Sequence, residues 1–177
     1  YKSRDIAFRS NNKLRYISTG AWVREKEGHV DQGFQMARNE QMMLQFFNKL
    51  LKGKDLKLII MLHPREKSKK YMTESTAMYA NILNDIPYEF APTDVPSNQL
   101  FGQVDLVVSF YSSLLFERLY FGFKTIFYTL FSDNFPLEKS SIRSICAFRE
   151  DELEKLIIKS IQLSDKDFFR TMNLEKY

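Results

Sequence analysis

Two apolar runs, Leu58-Ile59-Ile60-Met61-Leu62 and Val104-Asp105-Leu106-Val107-Val108, break off abruptly into polar residues. The first opens into His63-Pro64-Arg65 and the second into Phe110-Tyr111-Ser112-Ser113. A nearly continuous apolar strand needs cover on both faces, a condition met in parallel sheets flanked by helices. Sheets of that kind bind ligands at the carboxyl ends of their strands, so the residues that begin where the apolar run stops face the crevice. A histidine, a basic cluster and two hydroxyls gathered there suit a phosphate group.

The rest of the chain reads as strands alternating with helices. Residues 14–18 form a first strand that ends in Thr19-Gly20, followed by a charged loop over 21–33 punctuated by Gly28 and Gly33. Apolar residues recur every three to four positions over 36–51, which predicts a helix stopped by Gly53. Strand two covers 56–62, a helix 73–83, a short strand 88–90 and a short helix 98–103. Strand four covers 104–109, a helix 112–121 ends at Gly122, and strands five and six cover 124–128 and 144–148. Helices over 150–163 and 165–174 close the chain, the last with Ser164 as its cap. This order predicts an α/β fold, a Rossmann-like doubly wound parallel sheet with strand order 3-2-1-4-5-6.

With 177 residues the chain is long enough for one domain with a real core. Residues 13–177 are expected to form it, and residues 1–12 read as a linker or the edge of an N-terminal domain. An apolar fraction of 44% and an aromatic fraction of 15% exclude a disordered chain. The net charge of +4 has its excess in Arg65, Lys67, Lys69 and Lys70. That cluster fits either an anion-binding run or a solvated loop face, and the modest total fits a phosphorylated small ligand or an anionic membrane surface better than a nucleic-acid track. The single cysteine, Cys146, permits no disulfide within the chain and reads as a buried strand residue in a reducing compartment. No apolar run approaches the ~20 residues of a membrane span. The expectation is a cytoplasmic protein, compatible with peripheral attachment to the inner membrane face.

In the assumed strand order, Thr19-Gly20, His63-Pro64-Arg65 and Ser109 to Ser113 all meet at one switch point. Ser112 and Ser113 open a helix whose first N–H groups and dipole welcome an anion, although Ser112 could equally serve as a simple cap. Glu117 lies one turn beyond Ser113 on the same face. It is placed either for a ribose diol or for a solvent-exposed pair with Lys124 or Arg118. His29 reads as a loop residue, and two histidines so far apart make no convincing metal site. The chain contains no GxGxxG, Walker loop, CxxC or GxSxG motif.

Leu62-His63-Pro64 and Tyr111-Ser112-Ser113-Leu114-Leu115-Phe116-Glu117 resemble, in that order, the HP and serine motifs of bacterial GT-B sialyltransferases. They are also similar to the HP and YSS segments of polysialyltransferase, CDP-glycerol polymerase and other capsule-building enzymes. The run from Val104 to Ser113, followed by Gly122-Phe123-Lys124-Thr125-Ile126, is similar to their donor-side core. The resemblance implies a C-terminal half that binds a nucleotide-activated sugar, commonly CMP-linked. His63 and the Ser112/Ser113 pair would contact the donor phosphate. Gly20, Pro64, Arg65 and Glu117 complete the candidate donor site.

The acidic residue that deprotonates the acceptor belongs to the N-terminal half in that family, and Glu25-Lys26-Glu27-Gly28 is only a superficial echo of its motif. The saccharide acceptor is therefore expected to be held by a separate N-terminal domain. Neither a metal nor a cofactor is expected, and nucleic acid is not an expected partner. UDP-sugar 2-epimerases share the fold, but their glycine-rich turn after strand four is missing here. A transfer of glycerol phosphate or another alditol phosphate from a CDP donor, and a non-catalytic anion-binding module built on Arg65 to Lys70, stand as alternatives.

Overall fold

A computed structural model describes residues 12–29, 35–129, 137 and 140–174. Six parallel strands form one sheet in the order β3-β2-β1-β4-β5-β6. They are β1 (Lys13–Ile17), β2 (Lys57–Met61), β3 (Tyr88–Phe90), β4 (Leu106–Ser109), β5 (Thr125–Tyr128) and β6 (Cys146–Ala147). The helices are α1 (Ala21–Lys26), α2 (Met36–Leu51), α3 (Met72–Ile82), α4 (Ser113–Tyr120), α5 (Glu150–Ile161) and α6 (Asp165–Thr171). The doubly wound order expected from the sequence is present.

Alternation along the strands divides the core in two. On one face Leu14, Tyr16, Leu58, Ile60 and Ile126 pack against Phe46, Phe47, Leu50, Tyr79, Leu153 and Ile157 of α2, α3 and α5. On the other, Ile17, Ile59, Met61, Val107 and Phe127 pack against Leu115 of α4, Phe168 and Phe169 of α6, and Leu100. Leu100 belongs to a 3-10 turn, Ser97–Gln103, where the sequence pattern predicts a short helix. Burial on both faces is the reason these strands carry so little polar sequence.

Several boundaries depart from expectation. Residues 21–33 read as a loop, yet Ala21–Lys26 is a helix with Ala21 and Val23 buried. Charge and glycine dominate that stretch, and they hide a helix of less than two turns whose anchor is tertiary. The sixth strand is only two residues long, because a 3-10 turn at Arg143–Ile145 takes up the first part of the predicted run. Cys146 is buried in it as expected. The linker assigned to residues 1–12 lies outside the described residues except for Asn12, whose carbonyl accepts from the Lys57 amide at 2.8 Å.

Three cations, Arg15, Arg118 and Lys124, lie inside. Arg15 donates to the Leu100 carbonyl at 2.9 Å. Arg118 donates to the carbonyls of Lys124, Phe101 and Val104. Lys124 donates to the carbonyls of Ser160, Ile161 and Leu163 at the end of α5. A cation suits carbonyls that have no helical partner, and at a helix C-terminus it also meets the negative end of the dipole. These side chains therefore join the connections on both faces of the sheet to its strands.

Candidate functional site

The carboxyl ends of β2, β1 and β4 lie side by side and are tied by hydrogen bonds. The Ser18 amide donates to the Met61 carbonyl at 3.0 Å, and the Ser109 hydroxyl donates to the Ile17 carbonyl. The chain then leaves β1 through Gly20, at φ 64°, which begins α1. A Cβ on Gly20 would stand 2.7 Å from His63 Nδ1 and 2.9 Å from His63 Cβ. Gly20 is thus glycine for two reasons, its left-handed backbone and the imidazole pressed against it.

His63 is half-buried, and burial lowers its pKa from the ordinary histidine value. Glu66 opposes that shift, while Arg24, Arg65 and Lys67 add to it. Its Nδ1 accepts from the Arg65 amide at 3.2 Å, so the neutral ring carries its proton on Nε2. Its carbonyl accepts from the amides of Glu66 and Lys67, which closes the turn through Pro64. The imidazole is held as a hydrogen-bond donor.

On the other side of β1, Ser112 caps α4 and its hydroxyl accepts from the Leu114 amide at 3.3 Å. Capping therefore accounts for Ser112. Ser113, the first residue of α4, keeps an exposed side chain. Glu117 is exposed on the same face, and neither Arg118 nor Lys124 is its partner, since both turn inward to carbonyls. The exposed ring of Tyr111 meets Phe116 edge-on, with centroids 5.6 Å apart.

Arg65 is placed differently from the other candidates. Its guanidinium pairs with Glu27 at 2.5 Å; desolvation raises the Glu27 pKa, but contacts with Arg65, Tyr71 and Lys70 together hold it below the ordinary value. Lys70 lies 4.6 Å from the centroid of the Tyr71 ring. The basic run after His63 is thus partly engaged within the fold. His29 is exposed, and its amide closes α1 by donating to the Arg24 carbonyl. Among the described residues no group of three or more His, Cys, Asp or Glu side chains could hold a metal ion. No described helix is long and apolar enough to cross a membrane.

Two buried carboxylates escaped the sequence reading. Glu40 of α2 accepts from the Thr19 amide at 2.6 Å, the Tyr16 hydroxyl at 2.8 Å and the Ala21 amide at 3.2 Å. Burial pushes its pKa up to about 7, helped by nearby Glu66 and opposed by the Thr19 and Tyr16 donors. Glu66 accepts from the Trp22 indole at 2.7 Å, the His63 amide at 2.8 Å and the Tyr79 hydroxyl at 3.1 Å. Glu40 sits in a helical repeat and Glu66 in a basic run, where each reads as an ordinary surface charge. Pairing with distant aromatics gave no sequence signal.

A hollow of about 970 Å³ opens between α1, α2 and α3, lined in part by Trp22, Arg24, His29, Glu40 and Tyr79. Its lining includes neither His63 nor Ser113.

A doubly wound parallel sheet with a donor histidine and a capped helix start at its switch point defines the class as Rossmann-like α/β. Residues 1–144 match the model of a family described as "putative O-antigen biosynthesis protein", and the chain belongs to that family. The family places it in the biosynthesis of a bacterial surface polysaccharide. No curated protein matches the chain.

Proposed function

We propose that this domain binds the nucleotide-activated sugar donor of a glycosyl transfer in O-antigen assembly, as the donor half of a GT-B glycosyltransferase with a CMP-linked sugar as its donor. The observation that carries this reading is His63 seated against Gly20, one strand away from the exposed start of α4. Neighbouring parallel strands are ~4.8 Å apart, so the ends of β2 and β4 stand roughly 10 Å apart across β1, a span suited to a nucleoside phosphate. The family's assignment to O-antigen biosynthesis and the resemblance of the HP and serine segments to sialyl- and capsule transferases support the same class.

The chemistry follows from the donors in place. An acceptor hydroxyl forms its bond to the anomeric carbon as the bond to the donor phosphate breaks, and the electron pair leaves with the phosphate. Nε2–H of His63, the Ser113 amide at the positive end of α4 and the Ser113 hydroxyl are suited to meet that developing charge, with no metal required. Glu117 is placed to accept from a ribose diol. Arg65 would join only by leaving Glu27. The acceptor's proton goes to a base that the resemblance assigns to an N-terminal half, which also holds the saccharide acceptor.

Calorimetry of the protein with CMP, CDP and UDP tests this reading. Binding of at least one nucleotide is expected, together with its loss when Ser112 and Ser113 are both replaced by Ala. Unchanged affinity in that double variant would show that the site lies elsewhere.

A further inference from the structure

A fully buried carboxylate is costly unless hydrogen bonds or an opposite charge compensate it, and Glu66 has no accessible surface. Among the described residues no arginine or lysine forms an ion pair with it. Its partners are instead one donor from each of three elements: the Trp22 indole of α1, the Tyr79 hydroxyl of α3 and the backbone amide of His63 itself. Its own main chain completes the clamp, with its amide donating to the His63 carbonyl at 3.0 Å and its carbonyl accepting from the Ser75 hydroxyl at 3.3 Å. An apolar side chain would fill the space without spanning these three elements.

We propose that Glu66 is the positioning residue for His63, fixing the His63-Pro64 turn between α1 and α3 so that the imidazole stays against Gly20 with Nε2 as its donor. This inference rests on the donor-site reading for its purpose, although the clamp itself can be tested without a ligand. Four charged groups act on the imidazole: Glu66, Arg65 and Lys67 from the turn, and Arg24 from α1. Burial of the ring is the largest influence on its protonation, and Glu66 is the acidic group among the four that opposes it.

The test uses the full chain labelled with ¹⁵N-histidine. Only His29 and His63 contribute signals, and His29→Asn assigns them. Glu66→Gln keeps the volume and removes the charge, and it should shift the His63 titration to lower pH. Tyr79→Phe removes one donor and leaves the carboxylate less neutralised, so it should shift the same titration upward. Opposite shifts are not what a simple loss of packing produces, and Tyr79→Phe remains decisive if Glu66→Gln fails to fold.

Nucleotide affinity, measured with CMP, CDP and UDP, should fall roughly tenfold in Glu66→Gln, the scale of one charge-assisted hydrogen bond. It should fall no further when His63→Asn is combined with Glu66→Gln than with His63→Asn alone. Unmoved His63 titrations in both variants, or additive losses in the double variant, overturn the assignment. If the wild-type protein binds none of the three nucleotides, the donor-site reading fails while the titrations still decide the role of Glu66.

Discussion

Gly20 and His63 make the sharpest residue-scale case, because each limits what the other can be. Replacing Gly20 by Ala puts a methyl group within 2.7 Å of the His63 imidazole and within 2.9 Å of its Cβ, and the backbone at φ 64° disfavours any side chain. The imidazole tip could swing away, but its Cβ moves only with the turn. Gly20→Ala should therefore cost about 1–2 kcal/mol in folding stability and weaken nucleotide binding more than stability alone explains. Chemical denaturation beside calorimetry separates the two effects. A variant with normal stability and normal affinity would mean that the contact is incidental.

Between elements, α4 shows how two adjacent serines divide their work. Ser112 satisfies an amide at the helix start, so Ser112→Ala should lower stability by about 1 kcal/mol, as loss of an N-cap does. Ser113 is exposed, and Ser113→Ala should stay within about 0.5 kcal/mol of the parent protein. If the site reading holds, the weakening of nucleotide binding should appear with Ser113→Ala despite its normal denaturation curve. Identical denaturation midpoints for the two variants would remove the distinction.

The elements differ in how plainly their sequences announce them. Helix α2 carries its apolar repeat openly, and its observed bounds agree with expectation. Strands β2 and β4 are legible because both faces are covered and nearly every position is apolar. Helix α1 was not legible, since it depends on an Ala21 amide held by Glu40, a partner nineteen residues away. The same holds for Arg15, Arg118 and Lys124, whose partners are backbone carbonyls that leave no mark in side-chain sequence. The polar ends of β2 and β4 could be read locally. The braces behind them could not, because Glu66 meets Trp22 and Tyr79 only after three elements have packed.

For the whole molecule, Glu40 introduces a pH dependence whose sign runs against most acidic residues. Its folded pKa of about 7 lies above the ordinary carboxyl value of 4.5, so the folded state holds the proton more tightly than the unfolded chain. Stability from this group is full below pH 4.5 and is lost as pH rises toward and through 7. The change amounts to about 3 kcal/mol across that window. Glu40→Gln should flatten the dependence, and the difference between wild type and variant, followed by urea denaturation from pH 4.5 to 8, isolates it. A difference that stays constant across the window would show that the donors from Tyr16, Thr19 and Ala21 keep Glu40 ionised throughout.

The same sheet has margins unlike its middle. The described outer strands, β3 and β6, are three and two residues long, against five in β1 and β2. At one margin Glu89 of β3 is ion-paired with Lys57 of β2. So little unpaired main chain gives a stray strand almost nothing to zip onto, and charge at the rim makes it a poorer template still. Self-association by strand addition is thereby discouraged in a polypeptide whose core strands, once exposed, would be strongly adhesive.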